Sequence, residues 1–184
     1  MSADDQQEPA SSTSLLRFAA RSDLAQVVDL DYEAFSPYGT AESAEVFAKR
    51  LIVFPEGFVV AEDRGAILGY GCGEKWLALD EPALDEDPAL RHHADGTVFC
   101  ITGMAVQLSH RGRGLGLAIA QRLLMIAREQ GCQHVVLETT HAQGLYERLG
   151  FFRTGERTQD GVTLTVMQLD LANDSGIDVL RESG

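Results

Sequence analysis

Residues 104 to 116, Met-Ala-Val-Gln-Leu-Ser-His-Arg-Gly-Arg-Gly-Leu-Gly, carry the densest run of chemistry-bearing positions in the chain. An apolar strand enters an Arg/Gly loop and leaves it as a helix. Gly112, Gly114 and Gly116 allow a tight turn and a close approach of backbone to ligand, because no Cβ stands in the way. The helix that follows presents its first N–H groups, which have no intrahelical acceptors, back toward the loop. Such an arrangement holds a phosphate on backbone amides at the positive end of the helix. Arg111 and Arg113 add charge beside it.

That charge stands out against its background. The chain of 184 residues has a formal net charge of -13, so it is a poor partner for nucleic acid, whose binding depends on Lys and Arg neutralising phosphates. Between Arg111 and Arg128 there are nonetheless four arginines and no carboxylate. A basic island in an acidic protein fits an anionic small molecule better than a polymer. Cys72, Cys100 and Cys132 are odd in number and lack paired C-x-x-C spacing, against a disulfide framework or a zinc cluster, and no metal is expected. The N-terminus lacks the basic start and apolar core of a secretory signal, and no apolar run spans a bilayer. The expectation is a cytoplasmic protein with no membrane partner.

The elements that must position the loop can be traced along the chain. With 45% apolar residues, one domain with a sizeable core is expected over 14–171, between a disordered tail at 1–13 and a flexible tail at 172–184. Leu15 to Ala20 reads as a strand. Ser22 can cap a helix through Ala34, and Thr40 another through Val53, before Pro55 and Gly57. Phe58 to Glu62 and Ala66 to Trp76 form a hairpin around Asp63-Arg64-Gly65. Residues 77 to 96, rich in Asp and Glu and containing the pair His92-His93, show no periodicity and read as a loop insertion: a solvated connection, or a lip attracting a cationic substrate. Val98 to Val106, the helix Leu117 to Gln130, and His134 to Thr140 make a β-α-β unit with parallel strands. A helix over Ala142 to Leu149 and a hairpin of Phe152 to Thr158 with Val162 to Leu171, turning at Asp160-Gly161, complete the order.

Two motifs in that setting carry a resemblance. Arg111-Gly112-Arg113-Gly114-Leu115-Gly116 is an Arg-x-x-Gly-x-Gly loop, and Leu145-Tyr146-Glu147-Arg148-Leu149-Gly150-Phe151 is similar to a Leu-Tyr-x-x-x-Gly-Phe segment. With the element order over about residues 15 to 171, the chain resembles the GNAT N-acetyltransferase superfamily. The resemblance implies an α/β (α+β) fold: a mixed, mostly antiparallel sheet of about seven strands, flanked by about four helices, with a splayed parallel pair at the coenzyme site.

It also implies transfer of an acetyl group from acetyl-CoA to a primary amine, small molecule or protein, by direct attack. The pyrophosphate of CoA would lie on Arg111, Gly112, Arg113, Gly114, Leu115 and Gly116, and the pantetheine arm on backbone groups of Met104, Ala105 and Val106, with Thr139 on the facing strand. Gly103 would mark a strand bulge turned toward the thioester. Tyr146 matches the family's tyrosine that protonates the departing thiolate. Many family members carry a base where this chain has Thr102. Glu138, in Leu137-Glu138-Thr139, is similar to the glutamate that serves as base in the ribosomal-protein subgroup, although the connection to Tyr146 is shorter here. Glu74, and Glu33 or Tyr38 near the junction of the first helices, are further acceptor-side candidates. His110 reads as packing, and His141 as the start of a helix. A homodimer is compatible, since dimers are common in that family.

Two other functions compete. The absent carboxylate at Thr102 allows a non-catalytic acyl-CoA sensor or complex subunit. Gly112-x-Gly114, followed by Glu138, also resembles the start of a dinucleotide fingerprint of an NAD-dependent oxidoreductase. Three features oppose the latter: Leu117 stands at the third glycine position, the strand ends too early, and too little chain follows for a doubly wound sheet.

Overall fold

Phe58, Val59, Val60 and Ala61 are all buried, the pattern of a strand covered on both faces. Phe58 and Val60 join a core with Val27, Leu30 and Phe47, whereas Val59 and Ala61 join one with Ile119, Leu123 and Leu137. Period-two alternation therefore divides one sheet between two helical layers. The computed structural model describes residues 14–80, 82–159 and 161–172. The tails expected at 1–13 and past Ala172, and Asp160 of the last turn, lie outside the described residues.

The order is β1 (Leu15–Phe18), α1 (Leu24–Phe35), α2 (Ala44–Val53), β2 (Phe58–Asp63), β3 (Ala66–Trp76), α3 (Pro88–Arg91), β4 (Val98–Val106), α4 (Leu115–Glu129), β5 (His134–Thr139), α5 (Gln143–Glu147), β6 (Phe152–Gln159) and β7 (Val162–Asp170). The seven strands lie in the order β1-β2-β3-β4-β5-β7-β6. All neighbours are antiparallel except β4 and β5, which the α4 crossover makes parallel. The expected mixed sheet with one parallel pair is the observed one.

Helix α4 buries Ile119, Ala120, Leu123, Leu124, Ile126 and Ala127 against the sheet, a stripe at i, i+3 and i+4 spacing. At roughly 1.5–3 kcal/mol for each large aliphatic side chain removed from water, this stripe anchors the loop that precedes it. Helices α1 and α2 cover the opposite face through Val27, Leu30 and Phe47.

Several boundaries differ from the sequence expectation, each for a local reason. Ser22 sits inside a short 3-10 turn, and Asp23 instead accepts from the Ala20 amide at 2.7 Å and from Arg17. Helix α2 begins at Ala44 and not at Thr40: the Glu42 amide is held by Asp31 at 2.8 Å and the Ser43 amide by Asp85 at 2.7 Å, so acceptors from elsewhere in the chain occupy these N–H groups. Helix α4 starts two residues earlier than expected, at Leu115, because Gly114 takes φ +84° and ends the loop there. Leu115 and Gly116 thus belong to its first turn. The 77–96 segment contains a helix beyond the four expected, α3, with Pro88 in the first turn and Asp87 accepting from the Ala89 amide at 3.0 Å. Four residues are too few to show periodicity. His92 stacks on Phe54 with ring centroids 4.7 Å apart.

Candidate active site

Parallel pairing of β4 with β5 runs from Val98 and His134 to Ile101 and Leu137, and stops. Both strands continue, β4 to Val106 and β5 to Thr139, so they diverge. The register of β3 against β4 shows why: Cys72 opposes Gly103 and Gly73 opposes Ile101, which leaves Thr102 as the extra residue of a β-bulge. A bulge bends its strand and increases its twist, turning β4 away from β5. The sequence pointed to Gly103; the unpaired residue is Thr102, one position earlier. Burial changes at the same place, from the fully buried Val98–Ile101 to the half-buried Thr102, Gly103 and Met104.

A cavity of about 650 Å³ fills the divergence. Its loop end is lined by Met104, Ala105, Val106, Arg111, Gly112, Gly114 and Gly116, all expected there, whereas Arg113 and Leu115 are not among the lining residues. Arg111 is more than a charge: its Nε donates to the Val106 carbonyl at 2.9 Å and ties the loop to the strand end. Gly112 and Gly114 have φ of +72° and +84°, backbone that L side chains rarely adopt. Thr139 lines the facing wall, and its hydroxyl accepts from the Ala142 amide at 3.0 Å, turning the chain toward α5.

Tyr146 is 5% exposed, packs edge-on against Phe151 at 5.5 Å, and still lines the cavity. Its hydroxyl approaches the Met104 sulfur at 3.9 Å, which bridges β4 and α5 across the opening. Burial raises its pKa above the ordinary phenol value, so at neutral pH it carries its proton.

The far end of the cavity is charged, and most of it was not anticipated. Arg50, 4% exposed, donates through Nε to Glu74 at 3.0 Å and through both terminal nitrogens to Glu42, one of these bonds at 2.8 Å. Glu74 also accepts from the Trp76 indole at 3.4 Å. Beside this group, Asp31, 2% exposed, accepts from the Tyr70 hydroxyl at 2.5 Å and from the Glu42 amide. Burial pushes Asp31 up to about 6, opposed by the bonds from Tyr70 and Glu42. The sequence offered one signal for this cluster. Asp31 follows Val27 by four residues and Arg50 follows Val46 by four, so each charged residue falls on the apolar stripe of its helix.

Glu138 and Glu74 both line the cavity, on different walls. Glu138 is the first β5 residue past the paired segment, and both its oxygens accept from Arg157, at 2.5 and 2.8 Å. Arg157 also donates to the Pro82 carbonyl, which docks the acidic insertion against β6. Pro82, Ala83, Leu84 and Glu86 of that insertion form part of the cavity wall. Lys49 of α2 with Asp87 at 2.9 Å, and Arg91 over the Trp76 ring at 4.1 Å, hold it down, while Arg91 also pairs with Glu86 inside the insertion at 3.1 Å. The insertion is thus a built wall, and a freely solvated connection does not describe it. Tyr38 lines the mouth, where its ring meets His141 at 5.1 Å across the gap between α1 and β5. His141 lies two residues ahead of α5 and does not begin it. Glu33 is exposed and faces a separate shallow depression with Gln26 and Gln107, away from the cavity. Helix α1 turns Asp31, not Glu33, inward.

The chain belongs to the acetyltransferase (GNAT) family, whose model matches residues 24–151. Among curated proteins it is 34% identical to human N-acetyltransferase 8B over 103 residues, 54% of this chain and 40% of that protein, so it spans less than half the length of that relative. It is 30% identical to the L-amino acid N-acyltransferase MnaT of Escherichia coli over 135 residues, 67% of this chain and 69% of that one. Solved structures share the fold: Ard1 from Thermoplasma volcanium has a TM-score of 0.68 at 21% identity, covering 85% of this chain and 97% of that one. The YncA protein of Salmonella typhimurium, solved with acetyl-CoA, has a TM-score of 0.64 at 23% identity, covering 87% and 95%. Among the described residues, no helix is long and apolar enough to cross a membrane.

Proposed function

We propose that this protein transfers an acetyl group from acetyl-CoA to a primary amine by direct attack in the cavity between β4 and β5. One observation carries the proposal: the Arg/Gly loop, the unpaired half of β4 and the Tyr146 hydroxyl all border a single opening, which starts where parallel pairing ends. In this reading the pyrophosphate takes the amides at Gly112, Gly114 and the first turn of α4, and the pantetheine amides add as a strand to Met104–Val106. The same cavity continues to an acidic end, so donor and acceptor meet without crossing a barrier.

Attack of the neutral amine on the thioester carbon breaks the C–S bond, and the thiolate takes a proton from Tyr146. Burial keeps the Tyr146 phenol protonated, so it has a proton to give. Glu138, read from the sequence as the base, borders the opening with both oxygens already on the Arg157 guanidinium. Protonating it would weaken that ion pair, so it fits better as a fixed negative charge beside the incoming ammonium. The acidic wall favours a cationic acceptor.

The test is a thiol-release screen with acetyl-CoA against spermidine, L-methionine sulfone, glucosamine 6-phosphate and a short peptide with a free N-terminus. Turnover with at least one amine is expected. Tight acetyl-CoA binding with no thiol release from any amine would instead favour the non-catalytic acyl-CoA sensor.

A further inference from the structure

Five carboxylates line the cavity, and four of them hold an arginine: Glu42 and Glu74 share Arg50, Glu86 has Arg91, and Glu138 has Arg157. Asp31 is the fifth. Among the described residues, no lysine, arginine or histidine lies within ion-pair distance of it; its partners are the Tyr70 hydroxyl and the Glu42 amide, both uncharged donors. An uncharged donor stabilises a carboxylate without requiring that it stay ionised, whereas a buried guanidinium strongly opposes protonation.

Its place in the fold matters as much as its partners. A Cβ added to Gly103 would lie 3.1 Å from the Tyr70 hydroxyl and 3.2 Å from the Cys72 sulfur. The Tyr70–Asp31 pair therefore reaches β4 at the glycine directly after the bulged Thr102, where β4 leaves β5. The absence of a side chain at Gly103 keeps that approach open. Thr102 itself is no base, and its hydroxyl contacts the Cys72 sulfur at 3.6 Å.

We infer that Asp31, held by Tyr70, is the group that removes the proton from the acceptor ammonium, and that Glu138 is not. The inference rests on the acetyl-transfer reading above. In balance, R–NH3+ gives one proton to Asp31 and becomes the neutral nucleophile, the N–C bond forms as the C–S bond breaks, and a second nitrogen proton is lost as the amide forms. Tyr146 protonates the thiolate and recovers that second proton, while Asp31 releases the first to water. The groups facing Asp31 are Tyr70 of β3, Glu42 ahead of α2, and Arg50 of α2, whose guanidinium is occupied by Glu42 and Glu74; Cys72 of β3 stands beside Tyr70. Burial raises the Tyr70 phenol well above its usual value and the Cys72 thiol to about 12, so neither competes for the proton near neutrality.

The experiment measures kcat/KM against pH with the screened amine that releases thiol fastest, in the unaltered protein and in Asp31→Asn, Tyr70→Phe and Glu138→Gln. A base must be ionised, so the unaltered protein should gain activity as pH rises through about 6, the value burial gives Asp31. Asp31→Asn should lower kcat/KM by about 100-fold or more, abolish that rise, and keep acetyl-CoA affinity within about twofold. Tyr70→Phe removes a bond that lowers the Asp31 pKa, so the rise should move to higher pH. Glu138→Gln should leave the rise where it is. A rise that persists in Asp31→Asn, or disappears in Glu138→Gln, overturns the assignment while leaving acetyl transfer intact. Absence of turnover in the unaltered protein overturns both.

Discussion

At the loop end of the cavity the wall comes from one stretch of chain, Met104 through Gly116; at the other end it is built by side chains of Asp31, Glu42, Arg50, Glu74, Glu138 and Arg157, drawn from six separate places in the chain. In the proposed reading the first end binds through N–H groups, whose positions follow once the strand, the turn and the helix have formed. The second depends on charges that are stable only when packed against one another. A ligand common to many enzymes can be held by backbone, because backbone needs little from side-chain identity. A ligand particular to one enzyme needs side chains, and these must be paired in the empty site.

Several substitutions would break or sharpen that contrast. The largest effect is expected at Arg50. Arg50→Ala would leave Glu42 and Glu74 buried without a cation, and removal of one partner from a buried ion pair costs about 3–5 kcal/mol. Urea unfolding followed by Trp76 fluorescence reads this directly. A loss under about 1 kcal/mol would mean that water reaches the cluster and that the acidic end is not a packed structure.

Next is the loop. Gly114→Val forces a β-branched residue to φ +84° at the start of α4, which should weaken acetyl-CoA by at least about tenfold, or about 1.4 kcal/mol, in calorimetric titration. Unchanged affinity would mean that the amides of this turn do not hold the coenzyme. The smallest effect is expected at Arg113, exposed and outside the cavity lining. Arg113→Ala should weaken acetyl-CoA by only about two- to fivefold at low salt, a difference that fades at about 0.5 M salt, where exposed charges are screened within a few ångströms. A larger, salt-independent loss would show Arg113 to be a direct ligand.

The same contrast explains what could be read from the sequence. Strand β4, the glycine loop and helix α4 carry strong local signals, namely an apolar run, positive-φ glycines and a 3.6-residue stripe, so the β-α-β unit and its loop were legible to within a few residues. The place of Tyr146 on the cavity wall was legible because its motif is local. The Arg50 cluster reaches from Glu42, eight residues before Arg50, to Glu74, 24 residues after it, and Asp31 finds Tyr70 39 residues on, so no short window of sequence contains it. Its trace is a charged residue in an apolar stripe at Asp31 and at Arg50, a signal that marks burial without naming a partner. Glu33 illustrates the cost of missing it: two residues along α1 exchange an inward carboxylate for an outward one. The acidic residues of the insertion at 77–96 leave both a solvated connection and a lip for a cationic substrate open in the sequence, because nothing local shows that Asp85 and Asp87 are spent on the Ser43 amide and Lys49 of the α2 region. The Arg157 bond to Pro82 closes the same wall from β6, 75 residues away.

The central claim is that one cavity binds acetyl-CoA by backbone at its loop end and completes transfer through Tyr146. It is tested most directly by measuring acetyl-CoA affinity and amine-dependent thiol release in Tyr146→Phe, which removes one hydroxyl and keeps the ring among its neighbours. The expected result is an affinity within about twofold of the unaltered protein and a kcat lower by about 10²-fold or more, in the range a general acid supplies. An unchanged kcat, or a kcat that falls only as far as acetyl-CoA binding falls, would contradict it.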